Sequence, residues 1–171
     1  FLNGDMTYDF DIENAHFRIL YLKVRDYNKV NSDNPLSCKY LRQYVKDRQT
    51  VYNLTKVDKK EFIVMLYNDK IKTNKKEKVG YYPPCDYLRE FHKEKQNIFE
   101  TLYSEQKDNY PYWNNDNTKN PISSWFVKYL CVFENNIIQT AIKLIHDKFE
   151  NKVEIPMYDG LCVSRVGVLS D

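Results

Sequence analysis

The chain has 171 residues, 42% of them hydrophobic and 15% aromatic, which suits one compact domain, or one domain with a lobe, and excludes a disordered chain. Lys and Arg number 26 against 24 for Asp and Glu, so a net charge of +2 is no argument for a nucleic-acid partner; only the placement of the charges is informative. Cys38, Cys85, Cys131 and Cys162 show no CxxC or Cys/His spacing, so neither a zinc site nor a disulfide framework is suggested. No apolar run approaches the roughly 18 residues of a bilayer span, and the N-terminus lacks the basic and apolar regions of a signal peptide. The expectation is an intracellular, soluble protein without a membrane partner. Beginning at Phe1 rather than Met, the chain reads as a piece of something longer.

Residues 7–12 alternate in part and predict a strand that runs into the charged cluster of "YDFDIENAHFRIL". From Asn14 onward Phe17, Leu20, Tyr21 and Val24 recur at helical spacing, so the cluster falls at a strand-to-helix junction. "NSDNPLS" is a loop, after which Leu41, Tyr44, Val45, Arg48 and Val51 predict a helix over Ser37–Asn53. Asp58 is positioned to cap a second short helix, "KKEFIVMLYND", apolar at Phe62, Ile63, Met65 and Leu66. Lys70 to Pro84 holds five lysines and one acid, an exposed basic loop that is either simply solvated or a nucleic-acid contact.

Asp86–Gln106 is amphipathic through Leu88, Phe91, Ile98, Leu102 and Tyr103, and "KDNYPYWNNDNTKNP" is a polar connection. Ser124–Phe149 is the longest helical pattern, with a wide apolar stripe. Val153–Tyr158 and Leu161–Val166 read as two strands joined at Asp159-Gly160, a pair favoured in tight hairpin turns. This order of elements predicts an α+β domain.

Asp11 ends the first strand and Asp159 sits at the hairpin tip, so two carboxylates are expected at sheet edges, where a hard cation such as Mg²⁺ takes oxygen ligands. Two such ions assist phosphoryl transfer by activating the attacking oxygen and stabilising the leaving one. Asp9 lies on the same strand face as Asp11 and is the alternative ligand; adjacency to the helix favours Asp11.

"DIENAHFRIL" resembles motif A of family A DNA polymerases, and is closer to divergent members from virophages, giant viruses and related mobile elements. Aligned on Arg18-Ile19-Leu20, the metal-binding aspartate falls on Asp11, and His16 stands where the main family has its steric-gate glutamate. "KVDKKEFIVMLYND" resembles motif B, which implies that Lys60, or Lys59 if the register slips by one, contacts the nucleotide triphosphate, with Lys56 as the preceding basic residue. A solvated lysine pair is the plain alternative.

"MYDGLCV" resembles motif C, with Tyr158 and Gly160 replacing the histidine and glutamate that normally flank its aspartate. His146-Asp147 is a decoy within a helical stripe. The ordered triple covers about Tyr8 to Val166, and no thumb or exonuclease segment is visible.

The resemblance implies a polymerase palm-like antiparallel sheet with packed helices and a helical fingers-like insertion. On it, residues 1–36 are palm with the motif A strand and helix, and 37–110 are fingers-like with the basic loop 70–84. Residues 111–171 return to the palm with the long helix and motif C hairpin. The implied activity is that of a DNA-directed DNA polymerase in DNA replication, a virus- or mobile-element-encoded nucleotidyltransferase. Asp11, Asp159 and the Ile12 carbonyl would hold Mg²⁺ or Mn²⁺, His16 would face the nucleotide sugar, and Arg18 would orient Asp11 or Glu13 or form a structural ion pair.

The implied partners are primer–template DNA, a dNTP and further domains or subunits of a larger replication protein. "GYYPP" and "YPYW" offer rings that either stack on bases or fasten loops to the core. The competing reading is a catalytically inactive palm-like nucleic-acid-binding or assembly module. A reverse transcriptase or primase predicts paired aspartates in the hairpin, where this chain has only Asp159.

Overall fold

The computed structural model describes residues 7–68, 83, 85–113, 120–149, 153–156 and 160–164. The chain divides into two compact units, one of Phe1–His16 with Cys131–Asp171 and one of Phe17–Leu130. In chain order the regular elements are β1 (Thr7–Asp11), α1 (Ala15–Val30), α2 (Lys39–Lys46), α3 (Arg48–Thr55), α4 (Lys59–Leu66), α5 (Asp86–Gln106), α6 (Pro121–Phe149), β2 (Val153–Pro156) and β3 (Gly160–Ser164). Short 3₁₀ turns at Lys107–Asn109 and Pro111–Trp113 precede α6.

Helix accounts for 82% of the residues whose side chains are described, and none of those residues lies in a strand. That overturns the expected α+β class and its palm-like antiparallel sheet with packed helices and a fingers-like insertion. Among the residues whose side chains are described, the buried apolar surface belongs to helices and to the loop before α2, so the core described is one of helix packed on helix. The strands form only a short three-stranded backbone ladder in the order β1-β3-β2. In it β1 pairs antiparallel with β3, Thr7 opposite Ser164 and Asp11 opposite Gly160, and β2 pairs with β3 with a register shift between Val153 and Ile155.

The Phe17–Leu130 unit is a helical assembly around aromatic side chains. Tyr44 of α2 is fully buried, stacks on Phe62 of α4 at 4.4 Å between ring centroids, and meets Phe91 of α5 edge-on at 6.2 Å. Phe17 of α1 lies 4.6 Å from the same ring. Four helices thus share one aromatic node, whose rings each contribute about 0.5–1.5 kcal/mol per pair beyond their burial. A second node joins Phe99 of α5 to Phe126 of α6, stacked at 3.8 Å, with Trp125 and Tyr129 alongside.

The helix expected over Ser37–Asn53 is two helices. It breaks at Asp47, whose backbone leaves the helical region and whose carboxylate accepts from the Thr50 amide at 3.0 Å and the Thr50 hydroxyl at 2.6 Å, starting α3 afresh. Asp58 caps α4 as expected, accepting from the Glu61 amide. The long helix begins at Pro121, three residues earlier than its apolar stripe indicates, because proline at the first helical position forfeits no hydrogen bond.

In the same unit α2 draws its N-terminal cap from a distance. Cys38 makes no side-chain cap, and the buried Glu94 of α5 accepts instead from the Tyr40 amide, the Leu41 amide and the Ser37 hydroxyl. The next residue, the buried Lys95, donates from Nζ to the Asn68 carbonyl at 2.7 Å and lies over the Phe99 ring. His92 Nε2 donates to the same carbonyl at 3.0 Å.

Among the described residues, no helix is long and apolar enough to cross a membrane.

Candidate functional site

The first unit carries the two expected metal-binding segments. Asp11 is the last residue of β1, and the antiparallel register sets it opposite Gly160, the first residue of β3. Asp159 itself, with Tyr158 and the hairpin turn, lies outside the described residues. Asp9, the alternative ligand, pairs with Cys162, two positions further along the ladder. Carboxylate oxygens suit Mg²⁺ or Mn²⁺ by donor chemistry, and two aspartates would supply that donor type.

Beyond Asp11 the chain turns sharply. Asn14 takes a left-handed backbone conformation with φ 54, a region that asparagine tolerates better than most residues. The Ile12 carbonyl, which the motif resemblance would place in a metal shell, accepts from the Ala15 amide at 3.2 Å and so holds the entry to α1. The Ile12 side chain packs in a small apolar cluster around the buried Ile138, with Ala141, Ile142 and Ile145 of α6.

His16 occupies the first turn of α1. Its Nε2 donates to Glu134 Oε2 at 3.3 Å, and Cys131 Sγ lies 3.8 Å from the same nitrogen. Cys131 and Glu134 are three residues apart on α6, so one helix face presents both. Burial first, and the Glu134 carboxylate second, push the Cys131 thiol above its ordinary range. The donor atoms of the three residues all lie within 4.8 Å of one another. This grouping is absent from the sequence expectations. His16 and Cys131 stand 115 residues apart, and no local spacing announces them.

The second unit holds the cationic candidates. Lys59 and Lys60 are exposed in the first turn of α4 and, with Asp58, Ile63 and Val64, line an open surface hollow. Asp58 already places a carboxylate at that helix end, so the lysines supply the positive charge there. Lys56 is exposed at the C-terminus of α3, in a left-handed conformation with φ 59. Arg18 is exposed on α1. The decoy pair His146 and Asp147 is exposed on α6, in keeping with a solvated helix face.

Among the loop aromatics, Trp113 stacks on Tyr110 at 4.2 Å and meets Trp125 edge-on, so it fastens the connection before α6 to the core. Tyr81, Tyr82 and nearly all of the basic loop lie outside the described residues, as does the Tyr112 side chain. Comparison with protein-family models, with curated proteins and with solved structures finds no match to this chain.

Proposed function

We propose that the chain carries the nucleotidyl-transfer residues of a template-directed DNA polymerase, adding a dNTP to a primer 3′-hydroxyl. The reading rests on one observation: the antiparallel register that pairs Asp11 with Gly160, the neighbour of Asp159 in sequence. It needs only two strand ends that meet, not a palm-like sheet. Asp11 and Asp159 would hold Mg²⁺ or Mn²⁺, which when bound supplies Lewis-acid activation of the 3′-hydroxyl and neutralises triphosphate charge. The motif resemblance alone would add Lys60, or Lys59, and Lys56 as point charges for phosphate, and Arg18 as a brace. His16 enters this reading through the motif resemblance alone.

Primer extension tests it, using this chain or a longer protein that contains it. Asp11→Asn and Asp159→Asn should each lower incorporation at least about a hundredfold while leaving the helical circular dichroism unchanged. Equal incorporation by both variants and the parent overturns the assignment. Tyr158-Asp159-Gly160 offers one carboxylate rather than two, which favours a second reading, a non-catalytic nucleic-acid-binding or assembly module. That reading expects salt-sensitive DNA binding that persists in both aspartate variants, with no extension by any form.

A further inference from the structure

We infer that His16, Cys131 and Glu134 form a binding site for a borderline divalent metal ion of the Zn²⁺ class. Three different donors converge: an imidazole nitrogen, a thiol sulfur and a carboxylate oxygen. Tetrahedral Zn²⁺, with bonds of about 2.0–2.3 Å, needs donors about 3.3–3.8 Å apart. His16 Nε2 lies 3.3 Å from Glu134 Oε2 and 3.8 Å from Cys131 Sγ, so those two spacings are already met. The remaining pair lies within 4.8 Å, about 1 Å beyond the tetrahedral spacing, so binding would draw these two side chains together.

A histidine–glutamate hydrogen bond by itself requires no thiol; the third donor on the same helix face is what points to a metal. The mixed donor set selects among ions. Mg²⁺ and Ca²⁺ take oxygen, whereas nitrogen with thiolate suits Zn²⁺ and its transition-metal neighbours. Three protein ligands leave a fourth position for water or an exogenous ligand, and Cys131 is an exposed residue, so the ion has a path in.

Binding is balanced in protons. The Cys131 thiol releases its proton as the S–metal bond forms, and the neutral imidazole shifts to its Nδ1–H tautomer so that Nε2 donates its lone pair. One proton therefore leaves per ion, and apparent affinity rises with pH until the thiol ionises freely. The site uses neither Asp11 nor Asp159 and stands whether or not the nucleotidyl-transfer reading does. A ligating His16 is withdrawn from any contact with a nucleotide sugar.

The test is titration of the fully reduced chain with Co²⁺ and then Zn²⁺, the latter against a chromophoric chelator. One equivalent of Co²⁺ should produce a thiolate-to-cobalt charge-transfer band that Zn²⁺ abolishes. Loss of an outer-sphere partner typically costs about 10–100-fold in metal affinity, so loss of a direct ligand in Cys131→Ala or Glu134→Gln should weaken Zn²⁺ binding at least about tenfold. Cys131→Ala should also lose the band while keeping its circular dichroism, since the residue is exposed. A band that survives in Cys131→Ala, Zn²⁺ affinity unchanged in both variants, or no stoichiometric binding by the parent chain overturns the site.

Discussion

Glu94 shows how a single carboxylate can stand in for a helix cap. Cys38 at the start of α2 has no strong acceptor, and the Tyr40 and Leu41 amides would be left facing the interior; Glu94 takes both, with the Ser37 hydroxyl. Glu94→Ala leaves these donors without an acceptor and should destabilise the chain by about 3 kcal/mol, read as a shifted urea midpoint. Glu94→Gln keeps one acceptor oxygen and should recover part of the loss. The sequence carries a trace of this, because position 94 falls at helical spacing between Phe91 and Ile98. An acid within an apolar stripe, next to a helix that begins without a capping side chain, signals a distant cap. The His16 group left no such trace, since its members meet only through the tertiary structure.

At the scale of elements, the break between α2 and α3 depends on Asp47. The apolar period of Leu41, Tyr44 and Val51 runs on across the break, which is why periodicity alone predicts one helix. The local chemistry was nonetheless legible in part: aspartate is among the residues most favoured at a helix N-cap. Hydrogen bonds from the Thr50 side chain and then its amide hold the Asp47 carboxyl below its ordinary range. A depressed carboxyl contributes stability above its unfolded value near 3.9 and loses it as the pH falls through the folded value. Asp47→Ala should therefore lower the melting temperature at neutral pH, and the difference from the parent should shrink as the pH is taken below about 4, as a pH series of thermal melts will show.

Across the whole molecule, the helices were the legible part: α4, α5 and α6 follow from their apolar stripes, and Asp58 marks the start of α4. The class was not. Three short β-rich segments carried as much weight in the sequence as five helical ones, although the core described is built from helices. A further property of the whole is its alkaline behaviour. Burial raises Tyr44, Tyr87 and Tyr129 above the usual tyrosine value, Tyr129 to about 12. Unfolded tyrosines ionise near 10 while these do not, so the folded state holds more protons there and stability falls as the pH rises past about 10. Tyrosinate absorbance should rise in two stages, the exposed rings first and these three only as the helical signal collapses.

Lys95 and His92 both donate to the carbonyl of Asn68, just past the end of α4 and ahead of the lysine-rich stretch. A peptide oxygen held by an ammonium and an imidazole is a mooring point, so the backbone at Asn68 is held against α5. Lys95 also differs chemically from the chain's exposed lysines. Enclosed and already donating, its amine is shielded from acylating reagents and modifying enzymes, and it becomes reactive only when the joint between α4 and α5 opens.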